Sequence, residues 1–177
     1  ISNRTGPLNL PSVQLPATNH NESMPLVWQG QAWRSPLSPA GDFTLNAGED
    51  YTLPGGTYVV RNVTINGGST LNFSGPTKLY VTGTFRREGG AFINNATAKA
   101  ENLEVLSTGG TMSITSDNDF YGVVYAPDSR ITLNGDADLF GAIVGTSLTM
   151  NGSGMAHYEV SLDLVHLGVP PQTMLGD

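Results

Sequence analysis

The chain has 177 residues and a formal net charge of −7, with 38% hydrophobic residues, 13% charged residues and no cysteine. It is long and apolar enough for one domain with a packed core, and this composition excludes a disordered chain, disulfide bonds and thiolate metal sites. Lysine and arginine number only 8 against 15 acidic residues, which argues against nucleic acid and anionic membranes as partners.

Residues 1–41 are the first predicted element, an extended arm rich in proline. This stretch holds more than half of the prolines and both tryptophans, Trp28 and Trp33, and it shows neither helical nor alternating periodicity. We expect the arm to pack on the side of the body, docked by these two tryptophans. No apolar stretch approaches the ~18 residues of a membrane span, and a start at Ile1 rather than Met is expected for a processed or trimmed product.

A repeat begins near residue 42. Its anchor has the form apolar–Thr–apolar–Asn–Gly and occurs as VTING at 63–67, ITLNG at 131–135 and LTMNG at 148–152. A glycine and a short apolar run precede each anchor. The copy that ends at residue 135 carries a two-residue insertion, which we expect next to Pro127. Repetition at a short, nearly constant period is typical of solenoid proteins.

Two weaker copies, at 79–94 and 103–116, fill the space between the strong ones. The anchors that begin at 91, 112, 131 and 148 lie 21, 19 and 17 residues apart. The sequence therefore predicts an all-β fold, a parallel β-solenoid (β-helix) of about five coils over 42–162, with 163–177 as a C-terminal cap and tail. A β-sandwich with Asn-Gly hairpins is the alternative fold. The constant chain direction and period of the copies disfavour it.

The end of each anchor is expected to form a corner of the coil. Asparagine and the glycine after it tolerate turn conformations, and stacked amides bond along the solenoid axis. The predicted ladder consists of Asn66, Asn94, Asn134 and Asn151, with Thr115 in one coil.

Residues 119–159, DFYGVVYAPDSRITLNGDADLFGAIVGTSLTMNGSGMAHYE, resemble a β-solenoid domain of uncharacterised function. That domain occurs at the C-terminal end of bacterial PilX-like and other type IV pilus-associated proteins, and related patterns occur in surface proteins of the choice-of-anchor A type. The matching elements are YGVVYAP, the repeated anchor, FGAIVG and the closing HYE, within about residues 50–162. The resemblance implies a protein that is secreted or exposed on the cell surface or a pilus. It carries over no catalytic residues.

One outward row of the solenoid is expected to be apolar. Strand alternation places four residues in it, namely Val59, Leu106, Tyr125 and Val144. A solvated face is normally more polar. Either the arm, with Trp28 and Trp33, covers this row, or the row binds a protein partner, a neighbouring subunit or a glycan.

Two pairs of carboxylates recur in equivalent coils, Asp117 with Asp119 and Asp136 with Asp138. One coil apart they would lie ~5 Å from each other, and a Ca²⁺ ion could bridge them. The alternative is a solvated corner in which each aspartate stabilises its own turn. Calcium is the one cofactor that the sequence suggests.

The function that the sequence favours is a non-enzymatic structural or adhesive module. No catalytic residues are predicted, because none of His20, His157 and His166 lies in a recognised catalytic motif. The alternative function is a Ca²⁺-dependent, carbohydrate-active enzyme resembling the polysaccharide lyases with a β-helix. Ice binding is a remote alternative that rests on a row of hydroxyl side chains, Thr64, Ser113, Thr132 and Thr149, which is predicted to be interrupted by Phe92.

Overall fold

The structure is a computed structural model, and it describes residues 10–115 and 118–158. Short strands dominate, and the two helical elements are single 3-10 turns at Asn21–Ser23 and Ala100–Asn102. No helix in the described ranges is long and apolar enough to cross a membrane. The strands are β1 (Val27–Trp28), β2 (Trp33–Arg34), β3 (Phe43–Leu45), β4 (Asp50–Leu53), β5 (Gly56–Val60), β6 (Val63–Ile65), β7 (Thr70–Phe73), β8 (Thr77–Val81), β9 (Phe85–Arg87), β10 (Phe92–Asn95), β11 (Leu103–Ser107), β12 (Thr111–Thr115), β13 (Phe120–Asn134), β14 (Leu139–Asn151) and β15 (Ala156–Tyr158).

The strands from β3 onward wind into a parallel β-solenoid of about six coils, so the predicted fold is confirmed. The solenoid is a rod whose sides are parallel sheets, here called walls. Each wall is built from equivalent strands of successive coils. The first wall contains β5, β8, β11 and the first halves of β13 and β14. The second contains β3, β6, β9, β12 and the second halves of β13 and β14. The third contains β4, β7 and β10.

The register of the walls follows the repeat. Gly122 lies opposite Gly141 and Ile131 opposite Leu148, as the alignment of the copies requires. The register shifts by two residues between Ala126 and Arg130, where the insertion next to Pro127 was expected. The sequence period and the physical coil are therefore the same unit.

The core is a set of inward-facing rows. Strand alternation buries every second side chain, and parallel stacking places equivalent side chains above one another. One inward row of the second wall reads Phe43, Val63, Phe85, Met112, Ile131 and Leu148. Its members are buried as far as Ile131, whereas Leu148, in the last described coil of this wall, is exposed.

The register predicted for the weak copy at 79–94 is wrong. The strand that occupies the anchor position is β9, Phe85–Arg87, and not the stretch around Phe92. Arg86 therefore interrupts the hydroxyl row, and Arg87 is an inward residue, almost completely buried, whose Nε donates to the Ala91 carbonyl at 2.9 Å. Because Arg87 is charged, the alternation of apolar and polar residues is interrupted in β9, and the repeat is difficult to recognise in the sequence of this coil.

The asparagine ladder is correct in part. The Asn151 amide donates to Asn134 at 2.9 Å, and the Asn134 amide donates to the Thr115 hydroxyl at 3.3 Å. Asn66 donates instead to the Leu45 carbonyl at 2.7 Å. Asn94 belongs to a separate ladder on the third wall, where it donates to Asn72 at 2.9 Å.

The N-terminal arm lies against the rod. Its hairpin of β1 and β2 is antiparallel, and Val27 of this hairpin belongs to the core. Tyr51 of the third wall donates its hydroxyl to the Pro25 carbonyl at 2.9 Å. The predicted C-terminal cap at 163–177 lies outside the described residues.

Candidate functional site

The predicted outward row exists as one continuous file of the first wall. It runs through Val59, Tyr80, Leu106, Tyr125 and Val144. Tyr80 was missed, because its coil contains the misaligned copy. Leu106 is only 8% exposed and Tyr125 only 3%, so these two side chains are covered although they point away from the solenoid core.

The arm contacts this row at Tyr125. The Tyr125 hydroxyl donates to the Pro11 carbonyl at 2.5 Å, and burial raises the pKa of this phenol. Further along the arm, the backbone N–H of His20 donates to the Thr57 carbonyl at 2.7 Å. Leu106 and Tyr125 are buried and therefore do not form the open binding surface that one alternative predicts.

The arm also forms hydrogen bonds with backbone groups at the free edge of the first wall. β5 is the terminal strand of this wall, and an edge strand presents unpaired backbone groups. The Asn21 amide donates to the Val59 carbonyl at 2.5 Å and accepts from the Val59 N–H at 3.0 Å. The Thr57 N–H donates to Nδ1 of His20 at 3.0 Å. Asn21 therefore takes the place of a peptide group in a missing preceding coil.

Trp28 and Trp33 do not dock the arm, which corrects the prediction. They lie directly opposite each other in the hairpin, with ring centroids 5.2 Å apart, and they are 51% and 63% exposed. Alternation explains this position, because Val27 and Arg34, the neighbouring pair, face the rod. Arg34 forms an ion pair with the buried Glu49 and donates to the Thr44 carbonyl at 3.0 Å.

The described aspartates of the candidate calcium site accept hydrogen bonds from the next coil. The Asp138 N–H donates to Asp119 at 3.1 Å, the Ser153 N–H to Asp136 at 3.0 Å and the Met155 N–H to Asp138 at 2.8 Å. These backbone donors lower the pKa of Asp136 and Asp138, helped by the Ser153 hydroxyl and by His157 respectively.

These carboxylates therefore join neighbouring coils, which differs from the predicted alternative in which each aspartate stabilises its own turn. Within residues 10–115 and 118–158, no group of three or more His, Cys, Asp or Glu side chains could hold a metal ion. Asp117, the fourth residue of the predicted calcium site, lies outside the described residues.

Three stacked rings follow the solenoid axis beside these carboxylates. Tyr121 stacks on Phe140 and Phe140 on His157, each with centroids 4.7 Å apart and planes within 9° of parallel. His157 Nε2 lies 2.9 Å from Asp138 Oδ2. This stack is not among the features predicted from the sequence, although the spacings of 19 and 17 residues between its members equal those of the anchors.

A cleft of about 320 Å³ opens where the third wall ends. Its described lining combines two aromatic rings with amide, hydroxyl, aliphatic and carboxylate groups, from Thr70, Phe92, Ile93, Asn94, Asn95, Asn118, Asp119 and Tyr121. The predicted repeat places Phe92 and Asn94 on the second wall, whereas in the structure they lie on the third. This cleft and the exposed tryptophan pair are the candidate binding features of the described chain.

Comparisons with known proteins identify one family and assign no activity. No curated protein and no solved structure matches the chain at a significant level. The family described as "Domain of unknown function (DUF7305)" matches residues 41–165. This range contains the solenoid strands from β3 to β15 and well over half of the sequence. The chain therefore belongs to the DUF7305 family.

Proposed function

We propose that this protein is a non-enzymatic, exported module of the bacterial cell surface or of a pilus, which adheres to a partner through side chains held on a rigid rod. The observation that carries the proposal is the exposed pair of Trp28 and Trp33 on an anchored hairpin. The resemblance of residues 119–159 to solenoid domains of pilus-associated and surface proteins supports the location.

The tryptophan pair has the properties of an adhesive contact. Tryptophan is enriched among the residues that dominate binding energy at protein interfaces, and burying one removes a large apolar area from water. The hairpin is already fixed by Val27 in the core and by the ion pair of Arg34 with Glu49. A partner would therefore pay little conformational entropy to order the two rings.

The surroundings of the pair favour a partner surface without strong charge. Between the two tryptophans lie Gln29, Gly30, Gln31 and Ala32, none of them charged. The amides of Gln29 and Gln31 are exposed and can donate and accept hydrogen bonds around the indole rings. A protein partner or a neighbouring subunit fits this apolar centre with a polar rim.

A structural role is also supported by how the described histidines are used. His20 bonds to the edge of β5, and His157 is stacked on Phe140 and paired with Asp138. Both therefore take part in contacts between elements of the rod. His166 lies outside the described residues.

The test is an attachment assay with a deletion strain of the source bacterium. Complementation with the wild-type chain should restore attachment, and complementation with Trp28→Ala/Trp33→Ala should not. Leu15→Ala is the matched control, because Leu15 is an exposed apolar residue elsewhere on the arm. Surface proteolysis of intact cells should reach the wild-type protein and both variants equally. A deletion strain that attaches normally, or a protein protected inside the cell, would refute the proposal.

A further inference from the structure

We propose that the cleft between Phe92 and Tyr121 binds a neutral carbohydrate. This inference rests on the proposed adhesive function and names a ligand class for a second surface of the same rod. It depends on four features of the described residues, which are the interrupted wall, the fixed aromatic rings, the amide-rich lining and the sign of the charge.

The cleft lies where, among the described residues, one wall is shorter than the other two. The third wall contains β4, β7 and β10, whereas the first and second walls continue through β13 and β14. Beyond β10 the described chain provides no further strand of the third wall, and the rod has a step there. The step leaves about 320 Å³ of open space, within the range of ~300–1,000 Å³ that is usual for ligand sites.

Two aromatic side chains line this step. Phe92 lies on the outward side of β10 and is 45% exposed, so its ring is accessible to a ligand in the cleft. Tyr121 enters the cleft from β13. One face of its ring stacks on Phe140, with planes 7° from parallel.

The position of Tyr121 is set before any ligand arrives. The amide of the buried Asn95 donates to the Lys99 carbonyl at 2.7 Å and to the Tyr121 carbonyl at 3.2 Å. The Asn95 side chain therefore connects β10 to the backbone of Tyr121. A ring held by its backbone and by a stacked neighbour loses little entropy on binding, which favours affinity.

The polar lining is suited to hydroxyl groups. A pyranose ring has apolar C–H faces, which pack on aromatic rings, and a rim of hydroxyls that both donate and accept. The Asn94 side-chain amide donates one proton to Asn72 at 2.9 Å. Its second proton and its carbonyl oxygen can form hydrogen bonds with a ligand. Asn118 and Asp119 also line the cleft.

The charge in the cleft selects against acidic sugars. Among the described lining residues, Asp119 carries a charge and none is lysine or arginine. The whole chain has a net charge of −7. A uronate or sulfated polymer would therefore be repelled, whereas a neutral sugar would meet hydrogen-bonding groups of both kinds.

Affinity electrophoresis of the full chain tests this inference. Native gels would contain a neutral β-glucan, a galactomannan, glycol chitin or, as the acidic comparison, polygalacturonate. We expect at least one neutral polymer to retard the wild-type protein and polygalacturonate not to. Phe92→Ala should weaken that retardation about tenfold, and Tyr121→Ala should weaken it as much or more.

Controls separate binding from folding and from the tryptophan pair. Phe92 is exposed, so Phe92→Ala should keep the melting temperature of the wild type, and it remains informative if Tyr121→Ala fails to fold. Trp28→Ala/Trp33→Ala should bind the neutral polymer as the wild type does. The inference is overturned if no neutral polymer retards the protein, if Phe92→Ala leaves retardation unchanged, or if polygalacturonate binds more tightly. A protein that attaches cells through Trp28 and Trp33 but binds no neutral polymer would refute this inference alone.

Discussion

The free edge of the first wall depends on the side chain of Asn21. Its amide both donates to and accepts from the backbone of Val59, and Asn21→Ala removes both bonds. A hydrogen bond contributes about 0.5–1.5 kcal/mol net to stability. Water can reach the edge once the amide is removed, so we expect the two bonds together to contribute about 1–2 kcal/mol, in the lower part of their combined range. For a domain of this size, this corresponds to a melting temperature lowered by about 2–8 °C.

The assay is thermal unfolding followed by circular dichroism, with size-exclusion chromatography at several protein concentrations. Asn21→Asp keeps the acceptor for the Val59 N–H but places a carboxylate oxygen against the Val59 carbonyl, where the amide donor had been. It should therefore lower the melting temperature at least half as much as Asn21→Ala does. Gln14→Ala is the control, since Gln14 lies on the same arm and bonds only to Ser12 among its described contacts. An uncovered edge should also promote association. If Asn21→Ala melts and elutes like Gln14→Ala, the edge does not depend on this side chain.

Three further predictions concern the core, the carboxylates and calcium. Ile131→Ala should lower the free energy of unfolding by about 2–5 kcal/mol. Thr132→Ala, at the neighbouring outward position, should alter it by less than ~0.5 kcal/mol. Equal losses of the two variants in denaturant unfolding would contradict the inward position of Ile131. The pKa values of Asp136 and Asp138 are lowered in the folded chain, so their stabilisation is present above pH ~4 and is lost as the pH falls through the folded pKa. The Asp136→Asn/Asp138→Asn variant should show a smaller loss of melting temperature below pH ~4, and an acid limb as steep as that of the wild type would contradict it. Because the described carboxylates accept hydrogen bonds from the chain, Ca²⁺ and EDTA should leave the melting temperature of the wild type unchanged; a clear rise with Ca²⁺ would contradict this use of the aspartates.

The repeat made the fold predictable from the sequence. Equivalent positions such as Ile131 and Leu148 must stack in a parallel solenoid, and the insertion next to Pro127 could be placed because the copies on either side of it align. Arg87 marks the limit of this reasoning. A buried arginine at an inward position breaks the apolar alternation, so the coil that contains it was aligned on Phe92 instead.

The candidate sites were less predictable, because they depend on contacts between distant residues. The bonds from Asn21 to Val59 span 38 residues, and no local pattern indicates them. Trp28 and Trp33 were assigned to the arm contact by their apolar character, yet alternation with the buried Val27 turns Trp28 outward. The cleft lies beside β10, the last described strand of the third wall, and the sequence indicates it only once Phe92 is assigned to that wall.

Incubation of the purified chain with neutral and uronate polysaccharides tests the functional account most directly. Retention on the polymer and release of shorter products would be measured in the same samples, with and without Ca²⁺. An adhesive rod with a neutral-sugar cleft should be retained on a neutral polymer and should release no products from any of them. Release of unsaturated products from a uronate polymer would contradict the account and would support the lyase-like enzyme instead.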